Sequence, residues 1–202
     1  MDNLKAFALI CTLTPSPADS SSDLMANRIL GKLEEQGVTT SSARVVDYNV
    51  APGVETDMGN GDQWPQLRQQ ILDADIFLLS APIWVGHMSS LGQRVFERLD
   101  ADISSTDDAG RPIMYDKVAL TAVVGNEDGA HHVTAEMHQG LNDIGFTVPA
   151  QGGVYWVGEA MQTVDFKDLD EMPDVVASTI SAMTANAVHL AKSLKVASYP
   201  AP

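Results

Sequence analysis

The chain has one cysteine, few basic residues and no long apolar run, and each shortage excludes a class of protein. Cys11 has no intrachain disulfide partner, and its apolar surroundings favour an unreactive core thiol over a nucleophile. Twelve Lys and Arg against 27 Asp and Glu give a formal charge of -15, which would repel a nucleic-acid backbone. No apolar run approaches the roughly 18 residues of a membrane span. We therefore expect neither nucleic acid nor a membrane as a partner.

What is present is typical of a globular protein. A chain of 202 residues, 45% of them hydrophobic, can bury one substantial core, so we predict a single domain over 1–202. Lys5 is the one basic residue before the first apolar stretch, and no small-residue cleavage site follows it, so we predict a cytoplasmic location. The excess of acid favours a solvated surface over a docking face for a basic partner.

Apolar stretches alternate with segments of helical spacing, which predicts an α/β fold: a doubly wound, five-stranded parallel sheet with helices on both faces. The third and fourth stretches are apolar at nearly every position, as in strands that are covered on both faces. The predicted strands are Ala6 to Leu13, Ala43 to Tyr48, Ile76 to Ser80, Val118 to Val124 and Gly153 to Trp156. The predicted helices are Asp23 to Gln36, Gln63 to Asp73, Ser89 to Leu99, His131 to Ile144 and Asp174 to Leu194.

Three parts of the chain fall outside this alternation. Residues 51–62 and 102–116 are polar and rich in Gly, Asp or Ser, and a tail begins at about residue 196. We predict surface insertions for the first two, which could act as lids or as subunit contacts. Ligands of doubly wound sheets bind at the carboxyl ends of the strands, so the loops after strands one, three and four are the candidate site.

The loop after strand one, here called the hydroxyl loop (residues 12–22), is dense in hydroxyl groups. It precedes a helix whose N-terminus would offer unpaired N–H groups and partial positive charge to a phosphate. No GxxxxGK[ST] or GxGxxG pattern occurs at this position, which leaves a monophosphate as the predicted ligand. The alternative is that its serines only cap the helix. The hydroxyl side chains are those of Thr12, Thr14, Ser16, Ser20, Ser21 and Ser22.

The other two loops suit a flat ring. After strand three, Trp84 offers an apolar face between Pro82 and Gly86, although it could instead be a core or interface aromatic. After strand four, Gly125 and Gly129 bracket a polar turn that could donate backbone N–H groups to a reduced, negatively charged ring. His131 and His132 could add a donor there or form a simple surface pair. Together with His138 they have no metal-ligand spacing, so we predict no metal site.

The chain resembles the flavodoxin-like NAD(P)H-dependent FMN reductases in three stretches, TLTPSPADSSSDLMA, APIWVGHMSSLGQRVFERLD and VVGNEDGAHH, across roughly residues 4 to 158. The resemblance implies a flavodoxin-like five-stranded sheet, FMN as cofactor, NADH or NADPH as co-substrate, and a homodimer or homotetramer. The chain departs from the family pattern because it has no Arg or Lys in the first loop and has Trp84 where tyrosine is common.

Carried over by position, the resemblance implies cofactor contacts from all three loops. The phosphate contacts would come from Thr12, Thr14, Ser20, Ser21 and Ser22. The ring contacts would come from Pro82, Ile83, Trp84, Val85 and Gly86. The other side of the ring would be flanked by Gly125, Asn126, Glu127, Asp128 and Gly129, with His132 as a further donor.

The function that follows is two-electron reduction of a quinone, a flavin or another small-molecule electron acceptor. The flavin would carry the chemistry, so we predict no catalytic side chain. Two alternatives remain: an electron carrier of flavodoxin type, and a binding module that keeps the fold without flavin. A hydrolase is disfavoured because the chain has no GxSxG sequence.

Overall fold

A parallel sheet forms the centre of the computed structural model, which describes residues 3–201. Its five parallel strands lie in the order β2-β1-β3-β5-β6, and the two-residue strand β4 pairs antiparallel with the end of β3. Counted along the chain, the parallel strands have the 2-1-3-4-5 order of flavodoxin-like folds, as predicted. The strands are β1 (Lys5–Ile10), β2 (Thr39–Arg44), β3 (Ile76–Trp84), β4 (His87–Met88), β5 (Val118–Val124) and β6 (Gly153–Trp156).

Helices cover both faces of the sheet. On one face α1 and α5 pack against Ala6, Ala8 and Ile10 of β1, and on the other face α2, α3 and α4 pack with Phe7 and Leu9. Because both faces of the central strands are buried, these strands are continuously apolar. The helices are α1 (Ser21–Glu34), α2 (Trp64–Asp73), α3 (Ser90–Leu99), α4 (Ala130–Ile144) and α5 (Asp174–Val196).

The second strand differs from the prediction. It comprises Thr39–Arg44, and the apolar Val45 lies in a short 3-10 turn that extends to Asp47. The strand is at the sheet edge with β1 as its partner, so most of its side chains face water and it reads as polar. The predicted strand, Ala43 to Tyr48, was therefore placed too late in the chain, because the prediction relied on the buried residues at the end of the strand. β1 also ends earlier than predicted, at Ile10, and leaves Leu13 exposed in the following loop.

The segment 51–62 is tied to α3 by a buried ion pair. The Arg98 guanidinium lies 2.7 Å from the Asp62 carboxylate, with both side chains fully buried, and it also donates to the carbonyls of Ala51 and Glu55. Burial raises the pKa of Asp62, but the hydrogen bonds from Arg98 and from backbone N–H groups outweigh it and hold that pKa well below the usual range. Within residues 3–201, no helix combines the length and hydropathy that crossing a bilayer requires.

Candidate functional site

A cavity of about 370 Å³ opens where β1, β3 and β5 end, on the edge of the sheet at which we predicted a site. Four stretches of chain form its wall, three of which are the predicted loops. The fourth, around Phe166, follows β6 and has no counterpart in the prediction. The lining residues are Thr12, Leu13, Thr14, Asp19, Ser20, Ser21, Ser22, Pro82, Ile83, Trp84, Val124, Gly125, Asn126, Glu127, Asp165, Phe166 and Lys167.

The hydroxyl loop lines one end of the cavity, and its five predicted residues are all in the wall. Ser20 is the N-cap of α1: its Oγ accepts from the Asp23 N–H at 3.4 Å and donates to the Thr12 Oγ1 at 2.9 Å. The first-turn N–H groups of Ser21 and Ser22 have no intrahelical acceptor. This end of the cavity therefore combines hydroxyl groups with a helix N-terminus.

A buried arginine supports this loop from outside the cavity. Arg44, the last residue of β2, donates to the carbonyls of Ala18 at 2.7 Å and Thr14 at 3.3 Å and pairs with the Asp23 carboxylate at 3.1 Å. The guanidinium thus bridges both ends of the loop and the first turn of α1. Sequence reasoning missed Arg44 because it lies at the end of an edge strand more than 20 residues away.

A lysine that the prediction also missed reaches the same end of the cavity. Lys167 belongs to a short 3-10 turn, Phe166–Asp168, and its backbone N–H donates to the Ser21 Oγ at 3.2 Å. The hydrogen bond with the Asp168 carboxylate, 2.9 Å away, raises the pKa of the Lys167 ammonium. The hydroxyl loop has no basic residue of its own, as the sequence indicates, but a cation is supplied from beyond β6.

The opposite end of the cavity is formed by the Trp84 turn (residues 82–88). Pro82, Ile83 and Trp84 line the cavity; Ile83 is buried, whereas Trp84 is 54% exposed. Val85 has a φ of 53°, unfavourable for a β-branched residue, and is 86% exposed. Val85 and Gly86 lie outside the cavity wall, although the prediction placed them with the ring contacts.

The loop after β5 contacts the Trp84 turn directly. The Glu127 carboxylate accepts from the N–H groups of Val85 at 3.0 Å and Gly86 at 3.2 Å. Gly129, with a φ of 131°, approaches Gly86 so closely that a Cβ would lie 2.8 Å from the Gly86 Cα. Gly125, Asn126 and Glu127 line the cavity as predicted, and the Asn126 amide donates to the Asp165 carboxylate at 3.1 Å.

Asp128, Gly129 and His132 lie elsewhere. They line a neighbouring surface pocket rather than the cavity. The Nε2 of His132 is 3.2 Å from the Nδ1 of His87 and 3.1 Å from the Glu136 carboxylate. His132 therefore contacts β4 and its own helix, so the prediction that it donates to a ring in the cavity has no support in its position.

His131 and His138, the other two histidines considered in the sequence, lie apart from His132. His131 is directed to the Tyr155 hydroxyl at 3.1 Å. His138 is 2.9 Å from the Thr121 Oγ1, and burial lowers its pKa. Cys11 is buried and free, and burial raises the pKa of its thiol, which fits the predicted unreactive core residue.

Comparison with known proteins identifies the family of this fold and cavity. The family model for NADPH-dependent FMN reductase matches residues 5–162, most of the chain and all three predicted loops. The chain belongs to the NADPH-dependent FMN reductase family. Membership confirms the predicted class, a flavin-binding oxidoreductase enzyme with FMN as cofactor and NAD(P)H as co-substrate.

The individual proteins that this chain is similar to have different names. It is 34% identical over 201 residues to a Mycobacterium bovis protein named divalent metal cation transporter MntH, spanning 96% of this chain but 29% of that protein. It is 29% identical over 206 residues to the 8-demethyl-8-aminoriboflavin-5'-phosphate synthase of Streptomyces davaonensis, spanning 97% of this chain and 80% of the synthase.

Among solved structures, RosB with bound 8-demethyl-8-formylriboflavin-5'-phosphate superimposes with a TM-score of 0.87 at 29% identity. The match covers 97% of this chain and 82% of RosB. The family likeness therefore extends beyond residue 162, through α5.

Proposed function

We propose that this chain holds FMN in the cavity at the carboxyl edge of the sheet and uses NAD(P)H to reduce a quinone, a flavin or another small acceptor. The observation that carries the proposal is the convergence on one cavity of a hydroxyl-lined helix N-terminus and an accessible tryptophan. Its volume of about 370 Å³ is within the range of small-molecule sites.

The donor set at the hydroxyl loop suits the phosphate of FMN. Hydroxyl groups and first-turn N–H groups can donate to phosphate oxygens, and a helix N-terminus attracts an anion by about 0.3 to 1 kcal/mol at an exposed site. Lys167 adds a positive charge to the same wall, which offsets part of the negative charge of Asp19 and Asp165. Arg44 supports this arrangement by donating to two of the loop carbonyls.

The Trp84 turn and the loop after β5 suit the isoalloxazine ring. The exposed face of Trp84 offers stacking area, and Ile83 and Val124 supply apolar contact from the strand ends. The Gly125 N–H already donates to the Trp156 carbonyl at 3.0 Å. The predicted hydrogen bonds to the ring therefore fall to the backbone N–H groups of Asn126 and Glu127.

Bound FMN would supply the redox chemistry, a two-electron transfer from NAD(P)H to the acceptor. The chain's own residues position the ring and leave its outer face accessible for both substrates in turn. We assign no side chain as acid, base or nucleophile. Because donor and acceptor would use the same opening, we expect ping-pong kinetics.

The test is an anaerobic absorbance titration of FMN-loaded protein with NADH and, separately, with NADPH. Rapid loss of the flavin band is expected, and the faster nucleotide identifies the donor. Bound flavin that neither nucleotide bleaches would replace this proposal with the electron carrier. Protein that binds no FMN would overturn the proposal altogether.

A second candidate is supported by the relatives. The synthase and RosB are each named with a riboflavin-5'-phosphate that is altered at position 8, and the RosB match extends over nearly the whole chain. In this alternative FMN is the substrate rather than a retained cofactor. Aerobic incubation with FMN, followed by mass spectrometry of the extracted flavin, distinguishes the two: the reductase returns FMN unchanged, whereas the alternative yields an 8-formyl derivative with O₂ as the oxidant, and an 8-amino derivative only when an amino donor is added.

We extend the proposal to a homodimer or homotetramer in the cytoplasm, as predicted from the sequence. Light scattering on size-exclusion fractions tests the assembly. A monomeric mass at micromolar concentration would contradict it.

A further inference from the structure

We propose a binding site for a divalent transition-metal ion, of the zinc type, formed by His87, His132 and Glu136. The three side chains come from β4 and the first two turns of α4, outside the cavity wall. The site is independent of FMN: its ligands are side chains of the chain alone.

The distances between the three ligand atoms carry the proposal. The Nε2 of His132 is 3.2 Å from the Nδ1 of His87 and 3.1 Å from the Oε1 of Glu136, and the remaining pair is 3.7 Å apart. Tetrahedral Zn²⁺ with ligands at about 2.0 to 2.1 Å separates neighbouring ligand atoms by about 3.3 to 3.4 Å. The observed triangle is close to this size, so an ion can lie about 2 Å from all three atoms.

The backbone brings these ligands together in two ways. His132 and Glu136 are four residues apart on α4, and such pairs share one helix face. His87 is placed opposite them because β4 pairs with Trp84 at the end of β3 and the Glu127 carboxylate fixes the intervening turn. The two imidazole rings meet edge to face, with centroids 4.9 Å apart.

The ligand types and the exposure select the ion. Two imidazoles and one carboxylate suit Zn²⁺ and neighbouring first-row ions, whereas Ca²⁺ and Mg²⁺ prefer oxygen ligands. His87 and His132 are exposed and Glu136 is half-buried, so an ion enters directly and keeps water at its fourth position. The net charge of -15 further favours a cation.

A metal ion at this position links the Trp84 turn to α4. In its absence the same atoms form a cluster of polar contacts whose donor and acceptor roles depend on the tautomers of the two rings. The ion would replace these contacts and hold β4 against the helix by coordination.

The test is equilibrium dialysis of tag-free protein against Zn²⁺ with metal quantification, performed on FMN-loaded and FMN-free samples. We expect one ion per chain in both samples. His87→Gln, His132→Gln and Glu136→Gln should each weaken binding by about 100-fold or more, because loss of even an outer-shell partner costs 10- to 100-fold.

His131→Gln is the matched control, since the neighbouring ring on the same helix faces Tyr155 instead, and its Zn²⁺ affinity should equal that of the wild type. The proposal is overturned if wild-type protein binds no more Zn²⁺ than His132→Gln, or if His131→Gln weakens binding as much as the three ligand variants. Circular dichroism of each variant checks that the fold is retained.

Discussion

The hydroxyl loop and the Trp84 turn form opposite ends of one cavity, but they are held in different ways. The hydroxyl loop contains the buried Thr12 and Ser20 and is bridged by the Arg44 guanidinium. The Trp84 turn has an exposed tip and is held at Val85 and Gly86 by one carboxylate. Under the proposed function, the phosphate end is formed before the ligand arrives, whereas the ring end can adjust to oxidised and reduced rings and to different acceptors.

The largest effect on this comparison is expected from Arg44→Met. The change leaves the Asp23 carboxylate and two carbonyls without their buried partner, so the free energy of unfolding should fall by about 2 to 3 kcal/mol. Urea denaturation measures it. Arg28→Met, on the exposed face of α1, should change stability by less than about 0.5 kcal/mol. Equal losses in the two variants would show that Arg44 does not support the loop.

The ring end is tested by Trp84→Ala. Loss of the stacking face should weaken FMN and riboflavin equally, by about 10- to 100-fold, since stacking on an aromatic is worth about 1 to 3 kcal/mol. Stability should hardly change because Trp84 is more than half exposed. Trp84→Tyr should retain most of the affinity in the same flavin fluorescence titration. If Trp84→Ala binds both ligands as tightly as the wild type, the isoalloxazine ring does not stack at this end of the cavity.

Ser20→Ala tests whether the hydroxyl loop binds the phosphate. In the bound state the Ser20 hydroxyl would turn its proton from the Thr12 Oγ1 to the phosphate, so its loss should weaken FMN by about tenfold and leave riboflavin, which has no phosphate, unaffected. The ratio of the two affinities separates this effect from the N-cap loss, which costs about 1 kcal/mol of stability. Ser181→Ala on the exposed part of α5 is the control. A parallel loss of FMN and riboflavin affinity would place the phosphate elsewhere.

The smallest effect is expected from Glu127→Gln. An amide retains one acceptor oxygen for the two N–H groups of Val85 and Gly86, so the turn should loosen and both flavins should bind a few-fold more weakly, about two- to fivefold. Asp128→Asn, an exposed neighbour outside the cavity, should have no effect. A change confined to FMN would show that Glu127 acts on the phosphate end instead.

Local signals located most of the cavity wall. The hydroxyl-rich stretch and the stretch from Pro82 lie at the carboxyl ends of largely apolar parallel strands, and these ends meet at one edge. The predicted end of the third strand at Ser80 was wrong, since β3 continues through Pro82 to Trp84. The same reasoning misplaced β2, because an edge strand with one exposed face carries polar residues. The predicted ring contact of His132 stays a prediction; in the structure this side chain contacts β4 and its own helix.

By itself, the sequence determined the alternation of strands and helices and the three loops that line the cavity, since each depends on residues close together in the chain. The tertiary structure decided the rest. It placed Arg44 against the hydroxyl loop, brought the backbone N–H of Lys167 to the Ser21 hydroxyl, and joined His87 to His132 and Glu136. Each of these contacts joins different elements of the fold, so it exists only once the sheet and its helices have packed.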